Sequence, residues 1–272
     1  MAEYGGKAKL LAGGQSLIPL MKLRLASPEV IVDLNRIPDL NGIRAEGNAV
    51  IIGAMTRHRD IEHSPLIQQD FPLLAEASLV LADPLVRNRG TVGGSLAHAD
   101  PAADWGTALT ALGAELGVRG PKGSRNVPID GFFQDSFTTV LAPNELLTHI
   151  RLGKPAARTG GAFAKLKRKT GDFATVLAAA SLTLDGGSQA HHVRLALGGV
   201  GPTPIRATKA EKALEGSSTD SANLARAAKL AAEAAHPTDD LRGSVSYKKA
   251  MVEVYARRAL GRALERAQGG NR

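Results

Sequence analysis

The chain has 272 residues, of which 43% are hydrophobic and 22% charged, and its formal net charge is +8. This composition is typical of a globular protein with a sizeable core, and the length is sufficient for two domains. Because the sequence contains no cysteine, disulfides, a thiolate nucleophile and cysteine-ligated iron–sulfur clusters are excluded on this chain. No apolar run reaches the roughly 18 residues of a membrane span, and the first residues lack the apolar core of a signal peptide, so a cytoplasmic protein is expected.

Much of the positive charge lies late in the chain, in residues 165–169 and 248–266. Nucleic-acid binding is one interpretation, but aromatic residues make up only 4% and do not alternate with the basic ones to form a stacking platform. A solvated helix face, a pyrophosphate site or an acidic partner surface is therefore favoured. Metal binding at the adjacent His191 and His192 is not favoured, because neighbouring side chains of a strand point to opposite faces.

The first part of the chain alternates short strands and helices. A strand over residues 9–12 leads into the turn Gly13-Gly14-Gln15-Ser16, and a helix over residues 17–25 follows with Ser16 as its N-cap. Another helix is predicted over residues 56–63, with Thr56 as its cap. The same signals predict strands over residues 30–34 and 49–54, a hairpin turn at 46–48 and a helix over 72–81.

A second glycine pair, Gly93-Gly94, lies within a predicted turn over residues 91–95. A helix from Pro101 to about Leu112 follows it. A composition shift at residues 153–161 predicts a linker, and the alanine-rich segments beyond it have helical spacing. Further predicted elements are strands over 114–118, 124–129, 144–152, 173–184 and 192–197, a turn at 185–188, and helices over 222–235 and 247–267.

The first glycine turn has the local order of an anion-binding site: strand, glycine pair, small polar residue, helix. A helix N-terminus offers free N–H donors and partial positive charge, and Ser16 adds a hydroxyl. The spacing matches neither the Rossmann fingerprint nor the P-loop. Taken alone, a tight turn with a helix cap explains this segment better than a ligand site does.

The second glycine turn has a richer context. Arg87 and Arg89 precede it, Thr91 flanks the glycines, and Asp104 follows. A carboxylate such as that of Asp104 can accept hydrogen bonds from sugar or ribityl hydroxyls. A purely structural explanation also exists, because the aspartate of Asp100-Pro101 is a common helix cap. Two such turns together indicate one large phosphate-bearing cofactor held from two sides.

Several segments resemble one family, the FAD-binding medium subunits of molybdenum hydroxylases, in particular the aerobic carbon monoxide dehydrogenase medium-subunit type. Residues 12–19 with 21–24 resemble the first FAD signature of that family, and residues 87–104 resemble the second. Residues 165–174 are similar to a segment near the flavin. Residues 197–206 and Arg242-Gly243-Ser244 with Tyr247 are similar to the C-terminal domain, so the resemblance spans nearly the whole chain.

The resemblance implies an α+β fold with two domains. A two-lobed FAD-binding domain, like that of vanillyl-alcohol oxidase, would occupy residues 1–155. A smaller C-terminal domain with an antiparallel sheet and helices, like that of carbon monoxide dehydrogenase flavoproteins, would occupy residues 160–268. Relative to the family, the first strand and most of the first helix of the FAD-binding domain would be missing from this sequence. Ser95 stands where relatives often have asparagine, and Phe173 where some have tyrosine.

The resemblance also implies a set of FAD-contacting residues. Asp104 would bind hydroxyls of the cofactor, His98 would approach it, Leu147 would line its pocket, and Lys165 would lie close to the flavin. Lys165 would then stabilise negative charge on the reduced ring. No catalytic side chain and no metal ligand are expected on this chain. The pyrophosphate would be held by Ala12, Gly13, Gly14, Gln15, Ser16, Leu17, Thr91, Val92, Gly93, Gly94 and Ser95, with Phe173 near the flavin.

As a function, the resemblance implies electron transfer rather than substrate oxidation. FAD would pass electrons from iron–sulfur clusters on a partner to an external acceptor. The partners would be a large molybdopterin subunit and a small 2Fe–2S subunit, in a dimer of heterotrimers, with neither nucleic acid nor a membrane span involved. Two alternatives remain open: a self-contained FAD oxidoreductase of the same fold, and an assembly or scaffold subunit that has lost its cofactor.

Overall fold

The computed structural model describes Tyr4 and residues 7–269. The chain begins with a small lobe in which two parallel strands, β1 (Ala8–Leu11) and β2 (Val30–Asp33), are connected through helix α1 (Leu17–Lys22). A short 3₁₀ turn, Pro38–Leu40, leads out of this lobe. The first glycine turn therefore joins a strand to a helix, as predicted.

A second lobe is built on a five-stranded antiparallel sheet with six short helices packed against it. Its core contains Trp105, which is fully buried. The strands are β3 (Ile43–Glu46), β4 (Ala49–Gly53), β5 (Glu115–Gly120), β6 (Gly123–Pro128), the small hairpin pair β7 (Phe133–Asp135) and β8 (Thr138–Thr139), and β9 (Leu146–Gly153). The sheet order is β3-β4-β9-β5-β6. The helices are α2 (His58–Glu62), α3 (Pro65–Asp70), α4 (Pro72–Val80), α5 (Pro84–Arg89), α6 (Val92–His98) and α7 (Asp104–Leu112).

The C-terminal part is a four-stranded antiparallel sheet covered on one side by helices. Its strands, in spatial order, are β10 (Thr159–Leu166), β11 (Val176–Leu184), β12 (Ala190–Gly198) and β13 (Ile205–Arg206). Its helices are α8 (Thr208–Leu214), α9 (Ser221–Ala234) and α10 (Val245–Ala267). Among the described residues, no helix combines the length and apolar character needed to cross a bilayer.

This C-terminal sheet is buried on both faces, and its side chains alternate between two cores. Along β10, Phe163 packs into the core of the second lobe, while Ala162 and Ala164 pack beneath the C-terminal helices. The same alternation follows in β11, where Leu177 faces the second lobe and Ala178 faces the helices. Because side chains of a strand alternate between faces, the odd-numbered residues of β10 are directed towards the second lobe.

The α+β fold class with an antiparallel C-terminal sheet and helices is confirmed. The predicted hairpin at 46–48 joins β3 to β4, and the turn at 185–188 joins β11 to β12. The linker prediction over 153–161 is wrong in extent, because Gly160 and Gly161 belong to β10. A Cβ on Gly160 would overlap sterically with the Ala263 carbonyl oxygen, so this glycine lets α10 pack directly on the strand.

One of the two predicted cap positions is confirmed and the other is wrong. Ser16 is the N-cap residue of α1, although its side chain makes no capping hydrogen bond, and the helix ends at Lys22 rather than Leu25. Thr56 does not cap α2, whose N-cap is Arg57. The Thr56 hydroxyl is instead buried, accepts from the Gly42 N–H and donates to the Gly42 carbonyl. At Thr56 a tertiary contact therefore replaces the local capping pattern that the sequence suggests.

Candidate functional site

A cavity of about 890 Å³ lies between the small N-terminal lobe, the second lobe and the C-terminal sheet. Its volume is within the range of about 300–1,000 Å³ that is typical of small-molecule sites. Both glycine segments line it. Every residue predicted to contact the cofactor lines this cavity except Val92, which is 1% exposed and packs in the core of the second lobe.

The first glycine segment presents unpartnered backbone donors to the cavity. Gly14 adopts a φ of +76°, a conformation that residues with a Cβ rarely adopt. Gly13 lies directly against the Arg89–Gly90 backbone, and a Cβ there would overlap sterically with the Arg89 carbonyl oxygen. Among the described residues, no hydrogen-bond acceptor is found for the backbone N–H groups of residues 13–17. The turn is therefore a cradle of free amide donors at a helix N-terminus.

The second glycine segment differs from the predicted turn, because it is the first turn of helix α6. Thr91 is the N-cap, and its hydroxyl accepts from the Gly94 N–H. Gly93 is needed for close packing, since a Cβ there would lie 2.5 Å from the Ala54 Cβ. The N–H groups of this segment already have acceptors in the protein: Val92 to the Thr56 carbonyl (3.1 Å), Gly93 to the Ala54 carbonyl (2.8 Å), Gly94 to Thr91 Oγ1 (3.2 Å) and Ser95 to the Thr91 carbonyl (3.1 Å).

The opposite part of the cavity contains a buried ion pair. The Lys165 ammonium of β10 lies 2.9 Å from Asp104 Oδ2 at the start of α7, and the side chains are 2% and 6% exposed. Burial raises the pKa of Asp104 to about 6, against the opposing effect of the Lys165 ammonium. The second oxygen, Asp104 Oδ1, is buried and has no hydrogen-bond partner among the described residues. Such an orphaned acceptor is unusual in a folded protein and indicates a partner outside the chain.

His58 is a cavity residue that the sequence analysis did not identify. The Trp105 indole N–H donates to His58 Nδ1 at 2.9 Å, so the proton of the neutral ring lies on Nε2. Burial lowers the pKa of His58 to about 3, which keeps the ring neutral at physiological pH. Gly90 leaves room for the ring, since a Cβ there would lie 2.5 Å from His58 Nε2. No local signal points to His58, because its partner Trp105 is 47 residues away in sequence.

The remaining predicted residues have less polar surroundings. The His98 ring lies 5.2 Å from the ring of Phe137, and Leu147 is buried. Phe173 is 49% exposed at the edge of the cavity. Of the two arginines that precede the second glycine segment, Arg87 is paired with Glu62 at 2.8 Å, so its charge is compensated away from the cavity.

Much of the late basic charge forms internal ion pairs. Glu76 of α4 is paired with both Arg262 and Arg266 of α10, and Lys248 is paired with Asp240 at 2.8 Å. These pairs join the C-terminal helix to the second lobe or to its own loops. In the part of the chain that the structure describes, no three histidine, aspartate or glutamate side chains come together in a group that could hold a metal.

These features fit FAD. The free amides of residues 13–17 suit a pyrophosphate, because backbone N–H groups at a helix N-terminus bind anions. Asp104 Oδ1 suits a hydroxyl donor, which would satisfy its buried lone pairs. Leu81, Leu147 and Phe173 add apolar surface suited to a ring system. A cofactor with an anion in its middle and hydroxyls nearby would provide partners for both the free amides of residues 13–17 and Asp104 Oδ1.

Two protein-family models match the chain. Residues 1–155 match the FAD binding domain in molybdopterin dehydrogenase, and residues 161–263 match the CO dehydrogenase flavoprotein C-terminal domain. The carbon monoxide dehydrogenase medium chain of Hydrogenophaga pseudoflava is 46% identical over 98% of this chain and 92% of its own length. The corresponding chain of Afipia carboxidovorans is 42% identical over 98% and 93%.

Solved structures agree with these matches. A carbon monoxide dehydrogenase from Hydrogenophaga pseudoflava superposes with a TM-score of 0.95 at 48% identity, covering 97% of this chain and 92% of that one. The fold and the site define an FAD-binding flavoprotein. The chain belongs to the family of FAD-binding medium subunits of molybdenum hydroxylases, of the carbon monoxide dehydrogenase medium-chain type. It is thus an oxidoreductase subunit with FAD as its cofactor.

Proposed function

We propose that the chain holds one FAD across the large cavity and passes electrons from iron–sulfur clusters on a partner subunit to an external acceptor. The pyrophosphate lies at the amides of residues 13–17, and the isoalloxazine ring lies towards Lys165 and Phe173. The main support is that one cavity contains both an unpartnered amide cradle and an unpartnered buried carboxylate oxygen, Asp104 Oδ1. These groups are of opposite hydrogen-bonding character, and FAD offers a complement to each.

In this proposal the two glycine segments have different roles. Gly13 and Gly14 let the first turn approach the cofactor, and its amides donate to the phosphate oxygens. The residues of α6 form a preorganised wall, because their amides are held within the protein, and Ser95 adds a hydroxyl at the cavity surface. FAD, when bound, supplies the redox chemistry by taking up and releasing electrons at its ring.

The end of the cavity near β10 would hold the flavin ring. Asp104 Oδ1 would accept a hydrogen bond from a cofactor hydroxyl, and Asp104 is itself held by Lys165. Leu147 and Phe173 would provide apolar surface for the ring. Lys165 and Phe173 belong to the proposed domain at 160–268, whereas the glycine segments belong to the proposed domain at 1–155. The site is therefore incomplete without both domains.

The proposed assembly follows from the relatives. Relatives are named as chains or subunits of dehydrogenases and a hydroxylase. Two of them, from Paenarthrobacter nicotinovorans, are named 6-hydroxypseudooxynicotine dehydrogenase complex subunit alpha and nicotine 6-hydroxylase medium subunit. We propose that this chain likewise joins a large molybdopterin subunit and a small 2Fe–2S subunit, in a dimer of heterotrimers located in the cytoplasm. Since the chain has no cysteine, cysteine-ligated clusters must be supplied by a partner.

Titration of the FAD-depleted full chain with FAD tests the proposal. We expect one FAD per chain, detected by the flavin absorbance of the retained cofactor. Gly13→Ala should weaken binding at least tenfold, because a Cβ there collides with the Arg89–Gly90 backbone. Gly153→Ala is the matched control: a Cβ there meets nothing within 4 Å, so binding should be unchanged.

Two outcomes would contradict the proposal. A folded chain that binds no FAD would favour a scaffold subunit that has lost its cofactor. A purified single chain that oxidises or reduces an organic substrate with NADPH or oxygen would favour a self-contained oxidoreductase. Copurification with a large molybdenum-containing chain and a small cysteine-rich chain would support the proposed complex.

A further inference from the structure

Two lysines, one in β10 and one just beyond its end, donate hydrogen bonds to the same backbone oxygen atom. The ammonium groups of Lys165 and Lys167 lie 3.3 Å and 3.1 Å from the carbonyl oxygen of Val80. Val80 is the last residue of α4, where backbone carbonyls lack helical partners and carry partial negative charge. The spacing of two along and just beyond β10 directs both lysines to the same face of the strand, towards the second lobe.

The two lysines differ in their counter-ions. Lys165 is compensated by the buried Asp104 at 2.9 Å. Among the described residues, no carboxylate lies within ion-pair distance of Lys167, whose hydrogen bond goes to the neutral Val80 carbonyl. Burial and the neighbouring Lys165 ammonium lower the pKa of Lys167, as expected for a partly dehydrated cation beside another cation.

The other charged side chains nearby are paired or partly exposed. Arg87 is paired with Glu62, and Asp172 at the cavity edge is paired with both Arg168 and Arg242. The side chains of Arg168 and Arg242 are 53% and 29% exposed, so water and salt screen their excess positive charge. Lys167 is therefore a cation beside the Lys165–Asp104 pair whose charge no neighbouring carboxylate cancels. The opposite charges of Lys165 and Asp104 largely cancel at a distance, so this pair produces only a weak electrostatic field. The single charge of Lys167 produces a stronger field over the same distance.

We infer that Lys167, rather than Lys165, is the residue whose charge favours reduced FAD in this cavity, while Lys165 and Asp104 form a nearly neutral pair that positions the ring. This inference rests on the proposed function, because it requires FAD in the cavity with its ring towards β10. Lys167 is thus a potential-setting residue that does not line the cavity, and it acts through space from behind Lys165.

The charge balance gives the direction of the effect. Two electrons from the partner's iron–sulfur clusters and one proton from solvent leave the flavin with one negative charge. The external acceptor later takes both electrons, and the proton returns to solvent. A positive charge nearby stabilises this reduced anion more than the neutral oxidised ring, so removing that charge must weaken the binding of reduced FAD more than that of oxidised FAD.

The test is the midpoint potential of FAD bound to the full chain, measured by equilibration with reference dyes. Lys167→Gln removes the charge and keeps an amide donor for the Val80 carbonyl. It should lower the preference for reduced over oxidised FAD about tenfold, which for a two-electron couple is about 30 mV towards a more negative potential. Lys167→Arg should keep the wild-type potential. Lys169→Gln removes an exposed charge two residues further on, and salt and water should screen that change.

Several outcomes would overturn the inference. One is a Lys167→Gln shift no larger than that of Lys169→Gln. Another is a larger negative shift for the double variant Lys165→Gln/Asp104→Asn, which removes both charges of the pair, than for Lys167→Gln. Loss of FAD from both Lys167→Gln and Lys167→Arg would show that Lys167 retains the cofactor rather than setting its potential. Failure of the wild-type chain to bind FAD would instead refute the proposed function, so the two failures are distinguishable.

Discussion

The two glycine segments look alike in sequence and differ in structure. Gly13 and Gly14 form a true turn, one of them at positive φ, and the amides of residues 13–17 have no acceptor among the described residues. Gly93 and Gly94 lie inside helix α6, and the amides of residues 92–95 all have acceptors within the protein. The first segment is therefore suited to bind an anion, and the second is suited to form a rigid wall.

The difference shows that a glycine pair has at least two physical uses. In the first segment glycine supplies a backbone conformation and exposes donors. In the second it removes a side chain so that helix α6 can pack against Ala54 at the end of β4. Free amides, rather than glycines, mark an anion site, and only the first segment meets that criterion.

Replacement of Gly93 or Gly13 by alanine should have the largest expected effects, and the two variants should lose different properties. Gly93→Ala places a Cβ 2.7 Å from the Ala54 carbonyl oxygen inside the core, so it should cost about 3 kcal/mol of stability. Gly13→Ala places its Cβ at the contact of the small N-terminal lobe with residues 89–90, where a shift of that lobe relieves the strain. It should therefore lower FAD affinity more than thermal stability.

Thermal unfolding of the FAD-depleted chain, together with FAD titration, would measure both effects. Equal losses of stability in the two variants would contradict the proposed difference between the segments, because the two glycines would then have the same structural role. Gly153→Ala, with open space around its Cβ, provides the baseline for a glycine-to-alanine change.

The charged end of the cavity should contribute to the pH dependence of stability, because it contains the buried carboxyl group of Asp104. The pKa of Asp104 is raised from 3.8 to about 6, so the folded chain binds this proton more tightly than the unfolded chain does. The resulting stabilisation is complete below pH 3.8 and is lost as the pH rises through about 6. Its magnitude is about 3 kcal/mol.

Melting temperatures of the wild type and Asp104→Asn, measured without FAD between pH 4 and 7, would test this. The stability of the wild type relative to the variant should decrease as the pH rises. A constant difference across this interval would mean that Asp104 does not titrate there.

Substitutions at the two N-cap residues next to the glycines, Ser16 and Thr91, should have the smallest effects on stability, and the two positions should differ clearly. Thr91→Ala removes the bond from the Gly94 N–H to the threonine hydroxyl and should cost about 1 kcal/mol, whereas Thr91→Ser should retain it. Ser16→Ala should leave stability unchanged, because the Ser16 side chain makes no capping bond. Unfolding in denaturant would measure all three variants, and a destabilised Ser16→Ala chain would contradict the described geometry.

The sequence was most informative where local pattern decides structure. The strand–glycine–helix order around Gly13, the hairpin at 46–48 and the alanine-rich helices all follow from turn chemistry and periodicity. The family resemblance, rather than local pattern, implies that Asp104 and Lys165 lie at the same site. Their placement is explained by β10, whose odd-numbered side chains face the second lobe.

Contacts between distant segments could not be read from the sequence. The capping role of Thr56 was predicted from local preference, but after folding its hydroxyl bonds the backbone of Gly42 instead. The partner of His58 is Trp105, and the shared carbonyl of Lys165 and Lys167 is Val80, each far away along the chain. Pairings of this kind depend on how lobes and sheets pack, which periodicity does not encode.

Amide hydrogen exchange of the full chain, with and without FAD, tests the asymmetry of the two glycine segments most directly. The geometry predicts that FAD slows exchange at residues 13–17, whose amides are free, and leaves residues 92–95 unchanged, because their amides are already bonded within the protein. Slower exchange at residues 92–95 with no change at residues 13–17 would contradict the assignment of the first segment as the pyrophosphate cradle.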